Sequence, residues 1–529
     1  MTAEIITAPA ERAWKPSVNP WLIALAVMLA TFMEVLDTSV ANVALPHIAG
    51  NLSATTDEAT WVLTSYLVSN AIVLPMTGWL GVRFGRKRFL MACMAVFSLA
   101  SALCGAAPTL AILIFARILQ GAAGGALQPV SQAILMESFP PAKRGVAMAI
   151  FAMGVVVAPI IGPTLGGWIT DNYSWRWIFY INLPIGMIGL YLCQIFVEDP
   201  PYLISARRST TASIDYIGFA FMTIWLATLQ IILDKGQQDD WFSAQWIRWA
   251  AAISFLSMIS FVFWEIRQKE PIVNLRVFKN RNFALGTALI TFVGILLYST
   301  ITLQPLFLQN LMGYTATYSG LALSPRGIGA IMAVFLVGRV IGKLDSRILI
   351  TVGFVTLAWV SYTLSGLNLQ LSIYNIVIPN IIMGFAMGLI FVPLTTLTMG
   401  ELSNEELGNA TGIFNLMRNL GGSVGISTVT TLLARNAQEH QTYISAYFNP
   451  YNPQFQQYSQ KLSSFFAKSP ADLVEPRTYQ ALYNLIVQQA TVLAYMDNFR
   501  MLAFACLLFI PAVLALKSLV GRSAPGGTH

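Results

Sequence analysis

The chain is a succession of apolar runs near twenty residues long, each bounded by charges, glycine or proline. Runs of that length match a helix crossing a bilayer core of about 30 Å. They fall at 21–43, 59–81, 89–106, 111–136, 146–170 and 178–197, then at 214–233 and 247–266. Six more follow at 283–309, 318–340, 348–366, 373–400, 410–433 and 499–519. The pattern predicts an all-α polytopic membrane protein with 14 transmembrane helices. The first run is too long and too studded with polar residues for a cleaved signal, so it counts as a span.

Composition agrees. Of 529 residues 56% are hydrophobic and only 10% charged, with a mean hydropathy of +0.64, so the chain lacks the charge a water-facing surface needs. A net charge of +7 raises the question of nucleic acid, but the placement of the charge answers it. Twenty of the 31 Lys and Arg residues sit on alternate short connections and the two tails, among them Arg12, Lys15, the run Arg83 to Arg88, Arg207, Arg208, Lys269, Lys343 and Arg522. The opposite short loops hold Arg176 and Lys235. By the positive-inside rule both termini are expected in the cytoplasm and the long loop 435–498 outside, and no nucleic-acid partner is expected. Cys93, Cys104, Cys193 and Cys506 all lie in apolar runs, which suits small hydrophobes and predicts neither a disulfide framework nor a metal site.

An internal repeat sits beneath the spans. ESFPPAKRGVAMAIF from Glu137 recurs in outline as ELSNEELGNATGIF from Glu401, and GWLGVRFGRKR at Gly78 has a weaker partner in GRVIGKLDSR at Gly338. Both offsets are near 260 residues, so two six-span halves share one orientation with two spans between them. The organisation expected is a cytoplasmic tail 1–20, an N-terminal half 21–197, an inserted pair with flanking loops 198–282, a C-terminal half 283–519 containing the outward loop 435–498, and a tail 520–529. Parallel halves of this kind place a substrate site at their interface near the bilayer midplane.

Five charges fall more than two residues inside the predicted spans: Glu34, Asp37, Arg117, Arg326 and Arg418. A charge at the centre of a bilayer costs roughly 2.5–3.5 kcal/mol even on mild insertion scales, so each needs a reason. Glu34 and Asp37 are three apart, about 60° from one another on one helix face. Two carboxylates that close in low dielectric do not both ionise cheaply, which suits them to load a proton from one side and release it to the other. The alternative is that one lies near the headgroups or is neutralised by an arginine. Arg117 keeps its proton and must face a carboxylate, carbonyls or water, and Gln120 shares its face. Arg418, beside Asn415 and Asn419, suits a polar cavity lining in the second half, whereas Arg326 fits either a cavity or a membrane boundary. GVVVAPIIGPTLGG combines Gly154, Gly162, Gly166 and Gly167 with Pro159 and Pro163, which predicts a kinked helix in close contact with its neighbours. Ordinary membrane-helix packing would explain the same glycines.

Four motifs occur in order: LDTSVANVALP at Leu36, GWLGVRFGRKR at Gly78, LIFARILQGAAGG at Leu113 and APIIGPTLGG at Ala158. Together they resemble the major facilitator superfamily, in particular its fourteen-span drug:proton antiporter branch of the EmrB and QacA type and within it the EmrB subgroup. The resemblance covers essentially the whole chain. It implies the major facilitator fold and an exporter of hydrophobic or amphipathic compounds, driven by protons through Asp37 and Arg117, with Glu34 joining them on helical geometry. Beside these, a substrate cavity with Gln120, Asn42, Asn415 and Arg418 is expected, and a cytoplasmic gating turn with Gly78, Gly85 and Arg86. Partners implied are the lipid bilayer, a periplasmic membrane-fusion adaptor docked on the outward loop and, through it, an outer-membrane channel, with the protein in a bacterial inner membrane. Two departures stand out. Val82 occupies the place of an expected Asp, and Ala158 that of an expected Gly.

Nothing resembles an enzyme site or a cofactor site. The chain has no glycine-rich phosphate loop with Lys, and His47, His440 and His529 are scattered. Two other readings remain: a proton-coupled importer or metabolite transporter on the same fold, and a membrane receptor or scaffold that transports nothing.

Overall fold

The structure is a computed structural model, and it describes residues 16–201, 215–268, 271–340, 344–449, 451–466 and 471–517. Arg12, Lys15, Arg207, Arg208, Lys269, Lys343, Arg522 and the tail 520–529 lie outside the described residues.

The first helices are α1 (Pro20–Asn51), α2 (Thr56–Val73), α3 (Thr77–Phe84), α4 (Arg86–Ala106), α5 (Leu110–Ser138) and α6 (Pro141–Asn172). The short α7 (Trp177–Tyr180) leads into α8 (Asn182–Phe196), and α9 (Tyr216–Lys235) and α10 (Gln245–Arg267) form the middle pair. The rest are α11 (Arg281–Leu306), α12 (Ala316–Leu323), α13 (Arg326–Val340), α14 (Ser346–Leu364), α15 (Tyr374–Met399), α16 (Asn404–Ala446), α17 (Pro453–Phe466), α18 (Ala471–Leu508) and the short α19 (Ile510–Leu514). Starts are marked by local chemistry. Pro20 opens α1 while Asn19 Oδ1 accepts from the Trp21 N–H at 3.1 Å, and reciprocal capping boxes Thr55/Glu58 and Ser403/Glu406 open α2 and α16.

Among the described residues, twelve helical stretches are long and apolar enough to cross a membrane. The remaining expected spans, 146–170 and 410–433, fall on α6 and α16, helices of 32 and 43 residues that are not among those twelve. α16 carries Asn415, Arg418 and Asn419 near its middle. The surface is apolar, with Leu99, Phe115, Tyr191, Phe335, Trp359 and Phe504 all exposed, while Asp37, Arg117, Gln120 and Arg418 are buried inside. That inversion is what a bilayer imposes, since lipid solvates the apolar outside and each polar group must find a partner within.

Two bundles form. In one, α1 packs against α5, α6 and α8, α2 against α5, and α4 against α5 and α8. In the other, α11 packs against α15 and α16, and α15 also contacts α13 and α14. They meet where α6 touches α12, α13 and α15, and where α16 touches α3 and α5. α9 of the middle pair reaches both bundles. Lys235 Nζ donates to Thr60 Oγ1 on α2 at 2.6 Å, and Gln230 Nε2 donates to Ser423 Oγ on α16 at 2.9 Å.

The stretch 435–498, expected to be an outward loop, is largely helical among the described residues. α16 runs on to Ala446 and α18 begins at Ala471, so the stretch from Tyr479 to Phe499 is part of one helix continuous with the last span. At about 1.5 Å per residue both helices are far longer than the bilayer core, and they pack on each other. His440 Nε2 and Asp497 Oδ2, 2.7 Å apart, tie the extension together.

Candidate functional site

Arg117, Gln120, Gly124, Gln128 and Gln132 recur along α5 at steps of three and four, which sets them on one face. That face meets α1 and α16 at successive levels.

At the first level Asp37 on α1 is held by three donors. Arg117 Nη1 reaches its Oδ2 at 2.6 Å, and Gln120 Nε2 and Asn182 Nδ2 reach its Oδ1 at 2.8 and 2.7 Å. Arg117 also donates to Val62 O at 3.0 Å and to Gln120 Oε1 at 2.8 Å, and its guanidinium lies 4.1 Å from the Tyr66 ring centroid. Asn182 continues to Ser101 Oγ at 3.0 Å. Both members of the ion pair are at least 98% buried, so water does not screen it.

One turn back on α1, Glu34 has a separate set of partners. Gln128 Nε2 donates to its Oε2 at 2.5 Å and Asn70 Nδ2 to its Oε1 at 3.4 Å. The oxygen of the same Gln128 amide accepts from Arg418 Nη2 on α16, and that nitrogen also donates to Asn419 Oδ1 at 3.2 Å. Nε and Nη1 of Arg418 are buried with no hydrogen-bond partner. A further level along, Asn415 Nδ2 donates to Gln132 Oε1 at 2.7 Å, again between the bundles. Glu34 lines a cavity of about 80 Å³ with Tyr66, Asn70, Gln230, Tyr298 and Asn419, contributed by α1, α2, α9, α11 and α16. A largely apolar pocket carrying a few polar groups and walled by both bundles can hold and orient a ligand.

Past that cavity the bundles close on one another. Arg86, the first residue of α4, makes a buried ion pair with Glu137 in the last turn of α5. A side chain on Gly78 would come within 2.6 Å of the Asn409 backbone at the start of α16, so only glycine permits this approach. Gly85 has φ +84° and turns the chain between α3 and α4, a conformation that glycine adopts without strain. Asp199 Oδ1 accepts from the Lys87 N–H at 2.9 Å and so stands at the N-terminus of α4.

The expected site residues thus separate into groups. Asp37, Arg117 and Gln120 meet, and so do Glu34 and Arg418 through Gln128, but Arg117 pairs with Asp37 and not with both acids. Asn42 stands apart, exposed and folded back on Thr38 O at 3.1 Å, outside the Glu34 cavity. α6 is unbroken through Pro159 and Pro163. Gly162 and Gly166 abut Ser39 and Val40 of α1, a side chain added at Gly154 would meet Met28 at 3.7 Å, and Gly167 is buried. The side chain of Pro159 lies outside the described residues. Sequence reasoning missed Gln128, Gln132, Asn182 and Asn70. The three- and four-residue spacing from Arg117 carried the signal for the first two; the others have no local signal.

Residues 27–426 match the family model described as Major Facilitator Superfamily. The chain is 39% identical over 498 residues to the fatty acid resistance protein FarB of Neisseria gonorrhoeae, spanning 94% of this chain and 96% of that one. It is 37% identical over 511 residues to the multidrug export protein EmrB of Escherichia coli strain K12, spanning 96% and 97%. Among solved structures, the human organic anion transporter MFSD10 shares the fold with a TM-score of 0.58 at 14% identity, over 93% of this chain and 100% of that one. The paired bundles, the buried charges between them and relatives that align from end to end agree: the chain belongs to the Major Facilitator Superfamily, in its EmrB-like branch, and is a multi-pass membrane transporter, not an enzyme.

Proposed function

We propose that the protein is a proton-driven exporter of hydrophobic or amphipathic compounds, working by alternating access between its two halves. The observation that carries this reading is Glu34, a buried carboxylate on the wall of the cavity between the halves and joined through Gln128 to Arg418. The names of FarB and EmrB, a fatty acid resistance protein and a multidrug export protein, support the direction and the class of cargo.

A proton arriving at Glu34 turns a carboxylate oxygen from acceptor to donor, which disrupts its bond from the Gln128 amide. Gln128 also accepts from Arg418 across the boundary, so a proton taken up on α1 is felt on α16. Asp37 and Arg117 act beside it: protonation of Asp37 would release the guanidinium to its remaining partners, Val62 O and Gln120 Oε1. A cavity of about 80 Å³ is smaller than the 300 Å³ or more that drug-sized ligands occupy, so cargo requires the halves to part. The contacts of Gly78 and of Arg86 with the start of α16 close one end and must open in each cycle.

The proposal takes α6 and α16 as spans, giving fourteen, with the half and insert boundaries expected above. It places both termini in the cytoplasm of a bacterium, the protein in the inner membrane, and the α16–α18 extension outward. There exposed Tyr447, Tyr451, Tyr458 and Phe465 offer a docking surface to a periplasmic membrane-fusion adaptor leading to an outer-membrane channel. The test is dye export from proteoliposomes under an imposed pH gradient. Wild type is expected to respond to the gradient, and Glu34→Gln and Asp37→Asn to lose that response. Undiminished gradient-driven export by Glu34→Gln would overturn the coupling role.

A further inference from the structure

Of the four buried arginines among the described residues, three have an acid at hand. Arg86 has Glu137, Arg117 has Asp37, and Arg418 reaches Glu34 through Gln128. Arg326, the first residue of α13 and 3% exposed, has none within 4 Å among the described residues. Its Nε and Nη2 both donate to Asn380 Oδ1 on α15, at 3.1 and 2.9 Å, and Nη2 donates to Gln304 Oε1 on α11 at 2.7 Å. These acceptors are neutral amide oxygens, so the bonds position the guanidinium and leave its charge uncompensated.

A cavity of about 30 Å³ adjoins it, lined by Arg326 and Gln304 among Pro163, Ile301, Pro305 and Leu323. Because Gln304 Oε1 is committed to Arg326, the free end of that amide is its NH₂, and Nε2 is buried with no hydrogen-bond partner. A guanidinium and an amide donor therefore meet at a small space whose other walls are apolar. A water there could accept from both, but the charge would remain and the water's own protons would lack free acceptors. An anion only accepts, and it supplies the missing charge. The volume suits one monatomic ion or a very small carboxylate, and no lining residue is shared with the Glu34 cavity.

We propose that Arg326 and Gln304 bind a small monovalent anion, chloride or a carboxylate of formate size. Pro163 of α6 forms the wall from the other half, so occupancy joins the halves and favours the conformation in which they meet here.

The test uses the full-length protein in detergent at constant ionic strength, exchanging gluconate for chloride or formate and following the thermal unfolding midpoint. A saturable rise with chloride or formate but not gluconate is expected, and the anion that acts at the lower concentration identifies the occupant. Arg326→Gln should abolish the response. Should that variant not fold, Gln304→Glu supplies a fixed carboxylate beside Arg326, and its midpoint in gluconate should match wild type in the active anion with no further response. Equal wild-type midpoints in all three anions, or a full anion response in Gln304→Glu, would overturn the site.

Discussion

The Asp37–Arg117 pair makes the sharpest energetic prediction. Gln120 and Asn182 donate to one oxygen of Asp37 and Arg117 to the other. Asparagine at position 37 keeps its single oxygen for the two amides and turns an NH₂ toward Arg117 Nη1, a donor facing a donor; flipped, it serves Arg117 and strands both amides. A stranded buried donor costs about 1–3 kcal/mol, and breaking a buried ion pair from one side about 3–5 kcal/mol in all. Asp37→Asn should therefore destabilise by about 3–5 kcal/mol. Arg117→Met should cost somewhat less, roughly 3 kcal/mol, because the aspartate left behind retains two donors. With both changes no unpaired charge remains, and the loss should fall to about 1–2 kcal/mol, since a buried pair replaced by neutral groups is often nearly neutral. Equilibrium unfolding in mixed micelles, run as a double-mutant cycle, should give a coupling of at least about 2 kcal/mol. Losses that simply add, with coupling under about 0.5 kcal/mol, would refute the account of this pair. The recovered double variant should still fail in gradient-driven export, which separates a folding role from a coupling role.

Two further expectations concern the ends of the molecule. Gly78→Val places a side chain within 2.6 Å of the Asn409 backbone, so the contact between α3 and α16 must open; a reporter cysteine at Ala410, fully buried in the parent, should become reactive to maleimide, and unchanged labelling would contradict this. Outside the spans, the Ser17 hydroxyl and N–H both donate to Glu198, and these bonds hold its carboxyl below the ordinary value of 4.5. A depressed folded value stabilises this tether fully above about pH 4.5 and loses that support as pH falls through the lower folded value. Amide exchange at Ser17, Val18 and Asn19, corrected for intrinsic rate, should be flat near neutral pH and rise in acid; equal protection at both would disprove the link.

Much of this was legible in the spacing of residues. The apolar runs locate the helices because the backbone has no other way to satisfy its polar groups in lipid. The charges inside those runs single out Asp37, Arg117, Glu34 and Arg418, since each is too costly to keep without a partner. Which partner each takes is another matter. Glu34 and Asp37 share a helix face, yet one meets Gln128 and Asn70 and the other Arg117, Gln120 and Asn182, because α2, α5 and α8 come alongside α1 at different levels. Asn182 sits 145 residues from Asp37, and no local pattern joins them. The helical extension was hidden for a related reason: its polar face resembles a surface helix until α16 is known to run beside it.

The basic turn between α3 and α4 shows the limit most plainly. Val82 stands where a carboxylate is expected, and a local reading concludes that the turn has lost its electrostatic latch. Two acids stand nearby in space. Glu137 pairs with Arg86, and Asp199, 112 residues after Lys87, accepts from its N–H. Both come from the ends of other helices, α5 and the segment after α8, that arrive at the same end of the bundle. A motif records which residues adjoin along the chain, whereas a charge responds to whatever lies within a few ångströms. At positions such as Val82 a missing acid therefore argues for searching the neighbouring helix ends before concluding that the interaction is gone.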